Sequence, residues 1–162
     1  MRRATVLGIV MVLSTVVLAD TRHIEFDEQA DFTAFKTFVV REGRASSRKA
    51  ELNNALFLKT IEDAIRSSLS ARGLKEVADQ SDVVVTFRLA EQGQRGVVGT
   101  GIRNMRVIQT SEGTLVIEMT NDNKLVWQGT YTDDEGDAAK LAKKLPDDAK
   151  KLISQYPPKK KR

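Results

Sequence analysis

The segment EGTLVIEMTNDNKLVWQGTYTD, Glu112 to Asp133, alternates apolar and polar residues on both sides of a polar break at Asn121-Asp122-Asn123-Lys124. A period of two sends successive side chains to opposite faces, so the pattern predicts two strands joined by a tight turn. Leu115, Ile117 and Met119 share a face on the first strand, and Leu125, Trp127 and Tyr131 share one on the second. Asp122-Asn123 suits the positive backbone angles of a two-residue turn. The register stays open, because a slip of one residue exchanges the two faces. A hairpin with one apolar face needs a cover on that face alone, which confines the chain to a layered fold.

Helical periodicity supplies the cover. Leu58, Ile61, Ile65 and Leu69 fall at spacings of three and four within Leu52–Ala71, with Ala64 beside them, and Arg72-Gly73 provides the stop. Leu141, Leu145, Ala149, Leu152 and Tyr156 repeat the pattern. Pro146 lies inside this second run and predicts a kink or a fresh helix start, with Asp147 and Asp148 in a first turn. Further strands are expected at His23–Phe26, Phe35–Val40 and Val83–Leu89, where Val83, Val85, Phe87 and Leu89 point one way. Asp27–Thr33 and Arg41–Ala50 read as loops. The glycines at 93, 96, 99 and 101 read as a flexible connection between strands.

The expected fold is therefore α+β, a mainly antiparallel sheet of about five or six strands with two helices packed on one face. The hairpin would form its centre, with Leu115, Ile117 and Met119 facing the helix that bears Ile61 and Ile65.

The amino terminus stands apart. Arg2 and Arg3 precede an apolar run from Ala4 to Leu18, and Val17-Leu18-Ala19 offers small or permissive residues for a signal peptidase. The run is shorter than the roughly 20 apolar residues of a spanning helix, so a secretory signal cleaved after Ala19 is favoured over an anchor. The organisation expected is a signal at 1–19, one domain at 20–156 and a basic disordered tail at 157–162. Losing residues 1–19 removes two arginines and no acid, so the formal charge falls from +4 to +2. That balance gives no reason to expect a nucleic-acid partner. The absence of cysteine excludes disulfides, thiolate metal sites, a thiol nucleophile and a lipidated cysteine. A periplasmic protein, exported and not lipidated, is the expectation.

Candidate chemistry is sparse. His23 is the single histidine and has no nucleophile near it in sequence. One histidine and no cysteine make a zinc site implausible, and no cofactor is implied. The glycine run is not a dinucleotide fingerprint and carries no following Gly-Lys-Ser/Thr. Its functional alternative is a partner-binding loop with Arg95 and Arg103 as contacts. Asp82, Glu112, Glu118 and Asp133 are the acids that folding could pair for hydrolysis, although Asp82 suits a cap and Glu118 a solvated ion pair. Trp127, Tyr131, Phe87 and Phe38 could line a pocket or an interface, with core packing as the default. The tail Lys159–Arg162 could touch anionic lipid weakly.

Four stretches carry a resemblance to a known family. ADFTAFKTFVV (Ala30–Val40) looks like its opening strand, and AIRSSLSARGLKEVADQSDVVVTFRL (Ala64–Leu89) is similar to its helix, Gly-Leu turn and Asp-led strand. EGTLVIEMTNDNKLVWQG (Glu112–Gly129) and YPPK (Tyr156–Lys159) complete the match. The chain resembles the domain of unknown function 4136 family, bacterial envelope proteins that are often lipoproteins, although the lipidation cysteine is missing here. That family has no established activity, so the resemblance implies an envelope setting and no catalytic residue. The function expected is a non-enzymatic interaction module that binds another envelope protein. The alternative is a carrier of a small apolar ligand, which would need a pocket above about 300 Å³ lined by residues such as Phe38, Phe87 and Trp127.

Overall fold

In the computed structural model the described residues are 21–159 without Glu42, Arg48, 99–105, Asp134 and Gly136, and for 91–98 and 106–112 the backbone alone is described. The signal at 1–19, the tail end at 160–162, Arg103 and the side chain of Arg95 lie outside the described residues. The chain forms strands β1 (Thr21–Phe26), β2 (Thr37–Val40) and β3 (Arg44–Ser46), then helix α1 (Ala55–Ala71). Strands β4 (Lys75–Glu76), β5 (Val83–Val98), β6 (Arg106–Asn121) and β7 (Lys124–Asp133) follow, and helix α2 (Ala138–Ile153) closes the order.

The strands make one seven-stranded sheet in the order β1-β7-β6-β5-β2-β4, with β3 also on β5. Its β1/β7, β7/β6 and β6/β5 pairings are antiparallel, whereas β2/β4, β2/β5 and β3/β5 are parallel. The expected α+β class holds, and the count of five or six strands is corrected to seven in a mixed sheet. Parallel neighbours need a crossover between them, and α1 supplies it between β2 and β5. Arg41–Ala50 was expected as loop throughout, yet Arg44–Ser46 takes up the free edge of β5 where β2 ends.

The hairpin is central as expected, with β6 between β5 and β7. Asp122 and Asn123 hold φ of 47° and 63°, the left-handed pair that a two-residue turn of this kind requires. The ladder then skips a residue: Asn121 faces Lys124 and Thr120 faces Leu125, but Met119 faces Trp127. Val126 is the extra residue, and the bulge reverses the alternation on that side of it. Leu125 consequently turns outward and is exposed, while Val126 is buried with Trp127 and Tyr131. The expectation that Leu125 shares their face is corrected by this bulge.

Asn54 caps α1 by accepting from the Phe57 amide at 2.8 Å. Gly73, at φ 88°, reverses the chain after it, and the Leu74 amide returns to the Leu69 carbonyl at 3.2 Å. Ile61, Ile65 and Leu69 are fully buried, as the spacing predicts. Helix α2 is one element through Pro146, with Asp137 as its cap, accepting from the Ala139 and Lys140 amides. Asp147 and Asp148 thus lie past its middle, not in a first turn, and pair with Lys150 and Lys151 one turn on. Helix α2 runs alongside β6 and β7, and α1 alongside β2 and β4. The helix over Leu115, Ile117 and Met119 is therefore α2, not α1 as expected, although all these residues share one core.

The glycine run also departs from expectation. Gly93 and Gly96 are ladder residues of β5, opposite Ser111 and Ile108, so the strand continues well past Leu89. The far face of the sheet carries no helix among the described residues. It presents Thr86, Thr114, Thr120, Thr130 and Thr132 beside Val84 and Val116, all half-buried.

Gly43 is buried against the ring of Phe87, where an added Cβ would lie 1.9 to 2.3 Å from three ring carbons. Gly43→Ala is expected to lower stability by about 1–3 kcal/mol through overpacking, read as a reduced urea midpoint with an unchanged slope.

Candidate functional site

Among the described residues strand β1 is an outer strand paired on one side only, and its sequence TRHIEF alternates as a half-covered strand should. Arg22, Ile24 and Phe26 stand opposite Tyr131, Gly129 and Trp127, on the helix side of the sheet. His23 and Glu25 stand opposite Thr130 and Gln128 on the far side. Gly129 allows this closeness: a Cβ there would lie 2.6 Å from Trp127 Cη2 and 3.3 Å from Ile24 Cδ1. The Asp27 amide donates to the Val126 carbonyl at 2.9 Å just beyond β1. Inward and outward backbone groups alternate along an antiparallel strand, so Glu25, His23 and Thr21 aim theirs at β7. The N–H and C=O groups of Arg22, Ile24 and Phe26 point away from the sheet.

Two grooves adjoin this edge and share Phe26. One, of about 370 Å³, is lined by Ile24, Phe26, Arg72, Ser154, Gln155, Pro157, Pro158 and Lys159. The other, of about 450 Å³, is lined by Glu25, Phe26, Asp27, Gln29, Lys124 and Leu125. Pro157, Pro158 and Lys159, read from sequence as the start of the tail, thus form one wall. Arg72 fixes that wall by donating from Nη2 to the Ser154 carbonyl at 2.6 Å, joining the ends of α1 and α2. Behind the edge lies a series of edge-to-face rings. Phe32 contacts Phe26, Phe35 and Tyr156 at 6.1, 5.8 and 5.8 Å, and Tyr156 meets Trp127 at 6.3 Å. Each such pair contributes about 0.5–1.5 kcal/mol beyond area burial, enough to hold the edge firmly.

Phe38, Phe87, Trp127 and Tyr131, selected from sequence as pocket or interface residues, are all buried in the core and line neither groove. The residues that form the grooves were passed over, although the HIEF alternation and YPPK were visible signals. Size drew attention to the large aromatics, and size is also what places them inside.

Asp82, Glu118 and Asp133 do not converge. Val85 aligns with Met119 and Met119 with Trp127. Asp82 therefore lies three residues before that level on β5 and Asp133 six after it on β7. Nine strand steps separate them by about 30 Å. Glu118 sits on the far face, bonded to Arg88 at 2.7 Å, and the side chain of Glu112 lies outside the described residues. Asp133 is buried, paired with Lys144 and accepting from the Glu135 amide at 2.8 Å. Asp82 Oδ2 accepts from the Lys36 amide, the Thr37 amide and the Thr37 hydroxyl, each at 2.8 Å. His23 Nε2 lies 3.0 Å from Glu25 Oε1 on the exposed side of β1. Among the described residues no cluster of three or more His, Asp or Glu side chains could hold a metal. Nor, among them, is any helix long and apolar enough to cross a membrane.

The amide bonds from Lys36, then the Thr37 hydroxyl and amide, hold the Asp82 carboxyl below the usual carboxylate range. A depressed value means stability present above about pH 4 and lost as pH falls through the folded value. Asp82→Asn is expected to lower the melting temperature at pH 7, with the gap closing below about pH 4. Burial pushes the Tyr156 hydroxyl up to about 12, with a smaller push from Asp82, and that hydroxyl has no hydrogen-bond partner. A raised value means stability present below about pH 10 and lost as pH climbs through the folded value. Tyr156→Phe is expected to leave stability at pH 7 intact or improved and to flatten the alkaline loss, measured by chemical denaturation at pH 8 and pH 11.

No curated protein matches the chain. Solved structures do share the fold. A PDZ domain protein from Parabacteroides distasonis superposes with a TM-score of 0.61 at 14% identity, over 86% of this chain and 36% of that one. This chain thus spans about a third of that protein. A DUF4136 family protein from Bacteroides thetaiotaomicron gives 0.56 at 18% identity, over 84% of this chain and 92% of that one. The PelC dodecamer from Paraburkholderia phytofirmans gives 0.49 at 13% identity, over 84% and 96%. The family described as domain of unknown function DUF4136 matches residues 22–158, and the chain belongs to that family.

Proposed function

We propose that the protein is a non-enzymatic interaction module of the bacterial cell envelope, exported to the periplasm, and that it binds an extended segment of another polypeptide along β1. The observation that carries this reading is the outward row of N–H and C=O groups at Arg22, Ile24 and Phe26, flanked by two grooves. Adding a strand to such an edge draws affinity from main-chain hydrogen bonds and selectivity from the pockets that receive alternate side chains. The grooves supply those pockets on both sides of Phe26. The opposite edge of the sheet is unsuited to the task, since β4 is two residues long and charged.

The envelope setting rests on the basic and apolar amino-terminal run, with the basic tail as a secondary contact for anionic lipid. The carrier alternative draws no support from the grooves, because Phe38, Phe87 and Trp127 are packed in the core. The separation of Asp82 from Asp133 likewise rules that pair out of a shared hydrolytic site.

Photocrosslinking in intact cells tests the reading, with the reactive side chain placed at Ile24, at Pro158 and, as a control, at the exposed Leu56 on α1. Defined protein adducts from positions 24 and 158 and none from 56 are expected. Adducts from 56 alone would sink it.

A further inference from the structure

We infer that the segment received by β1 is β1 of a second copy of this chain, paired antiparallel about a two-fold axis at Ile24. This rests on the edge-binding reading above and names its occupant.

The order of hydrogen-bond donors and carboxylates along the strand carries the inference. Arg22 and His23 precede Ile24, and Glu25 and Asp27 follow it. A two-fold axis at Ile24 sets His23 of each copy opposite Glu25 of the other and Arg22 opposite Phe26. The His23 and Glu25 side chains are exposed at 65% and 63% in one copy. They would meet in non-hydrogen-bonded pairs, where opposed side chains come closest. Each imidazole then finds a carboxylate on its own strand and another across the axis. Arg22 lies where a guanidinium can cover the Phe26 ring.

Other two-fold registers fail on the same residues. An axis at Arg22 opposes two arginines and one at Glu25 two glutamates, while one at His23 leaves Glu25 facing Thr21 and Arg22 facing Ile24. An axis at Phe26 puts Glu25 against Asp27. Like charges directly opposite destabilise a strand pair. Only Ile24 places an apolar residue on the axis with an imidazole opposite a carboxylate on each side of it.

The backbone agrees. Arg22, Ile24 and Phe26 have their main-chain groups directed outward, so this axis pairs outward residues with outward residues and forms about six new hydrogen bonds. Equal parity also sets the helix side of one copy level with the helix side of the other. The groove walls at Pro157 and Pro158 of the two copies then flank the axis. Strand β1 contains no proline and no lysine, and its ladder with β7 runs without a bulge, so those protections of an exposed edge are missing.

The test is the solution mass of the protein purified from cells expressing the full chain, by sedimentation over micromolar to hundreds of micromolar concentration. A dimer is expected. Ile24→Pro removes one outward donor and leaves the β1–β7 ladder intact. It is expected to give a folded monomer with an unchanged circular dichroism spectrum. His23→Glu, which opposes like charges twice per dimer, is expected to weaken association about five- to tenfold. The exchange His23→Glu with Glu25→His restores the opposition and is expected to recover the dimer. A wild-type monomer throughout the range, or a dimer indifferent to both Ile24→Pro and His23→Glu, overturns the inference. A monomer that still crosslinks from position 24 to a different protein overturns the two-fold pairing and leaves edge binding standing.

Discussion

The two halves of the sheet are joined at one carboxylate. Strands β5, β6 and β7 follow one another through the chain and pair antiparallel, so local turns can set their register. Strand β2 has no such help, because it pairs parallel with β5 across a gap of more than forty residues. Asp82 holds that junction. Its side chain accepts from the amides of Lys36 and Thr37, its own amide donates to the Thr37 hydroxyl oxygen, and its carbonyl accepts from the Asn121 side-chain amide. One residue thus ties the start of β2, the start of β5 and the end of β6. With that point fixed, α1 must cross on the helix side of the sheet, and Phe38, Val83 and Val85 meet Ile61 and Ile65 in one core.

What was legible in the sequence depended on the range over which each signal acts. The period of α1, the stop at Gly73 and the turn at Asp122-Asn123 are local chemistry, and the structure has them where the residues place them. The bulge at Val126 is less legible, because one extra residue in a ladder leaves the alternation intact on each side of it. Leu125 was therefore assigned to the wrong face while Trp127 and Tyr131 were not. Strands β3 and β4 are too short for any period to emerge, and their pairings are non-local. Pro146 predicts a kink or a fresh helix start; no fresh start occurs, because packing of Leu141, Leu145 and Leu152 on both sides of it carries α2 through. Tertiary burial overrides a local penalty of this size.

The candidate site follows the same division. Sequence reasoning looked for large side chains and titratable sets, and the large aromatics went to the core. An edge offers its backbone, which every residue possesses, so its binding groups have no compositional mark. Only the topology shows that Ile24 and Phe26 lie on a strand with no strand on its outer side among the described residues. The Gly129 contact with Trp127 shows how far the interior is built to bring β1 close to β7.

The unequal edges of the sheet also govern how far assembly can proceed. A sheet with two long open edges adds copies at both ends and grows in one dimension without limit. Here β4 offers two charged residues and β1 offers six. The threonine-rich far face is polar and half-buried, unlike the dry apolar surface on which sheets stack. Pairing through β1 about a two-fold axis consumes the same edge of both copies, so that contact is closed. Strand addition, the chemistry that in other settings leads to fibrils, terminates at two copies when it runs through β1 in this way.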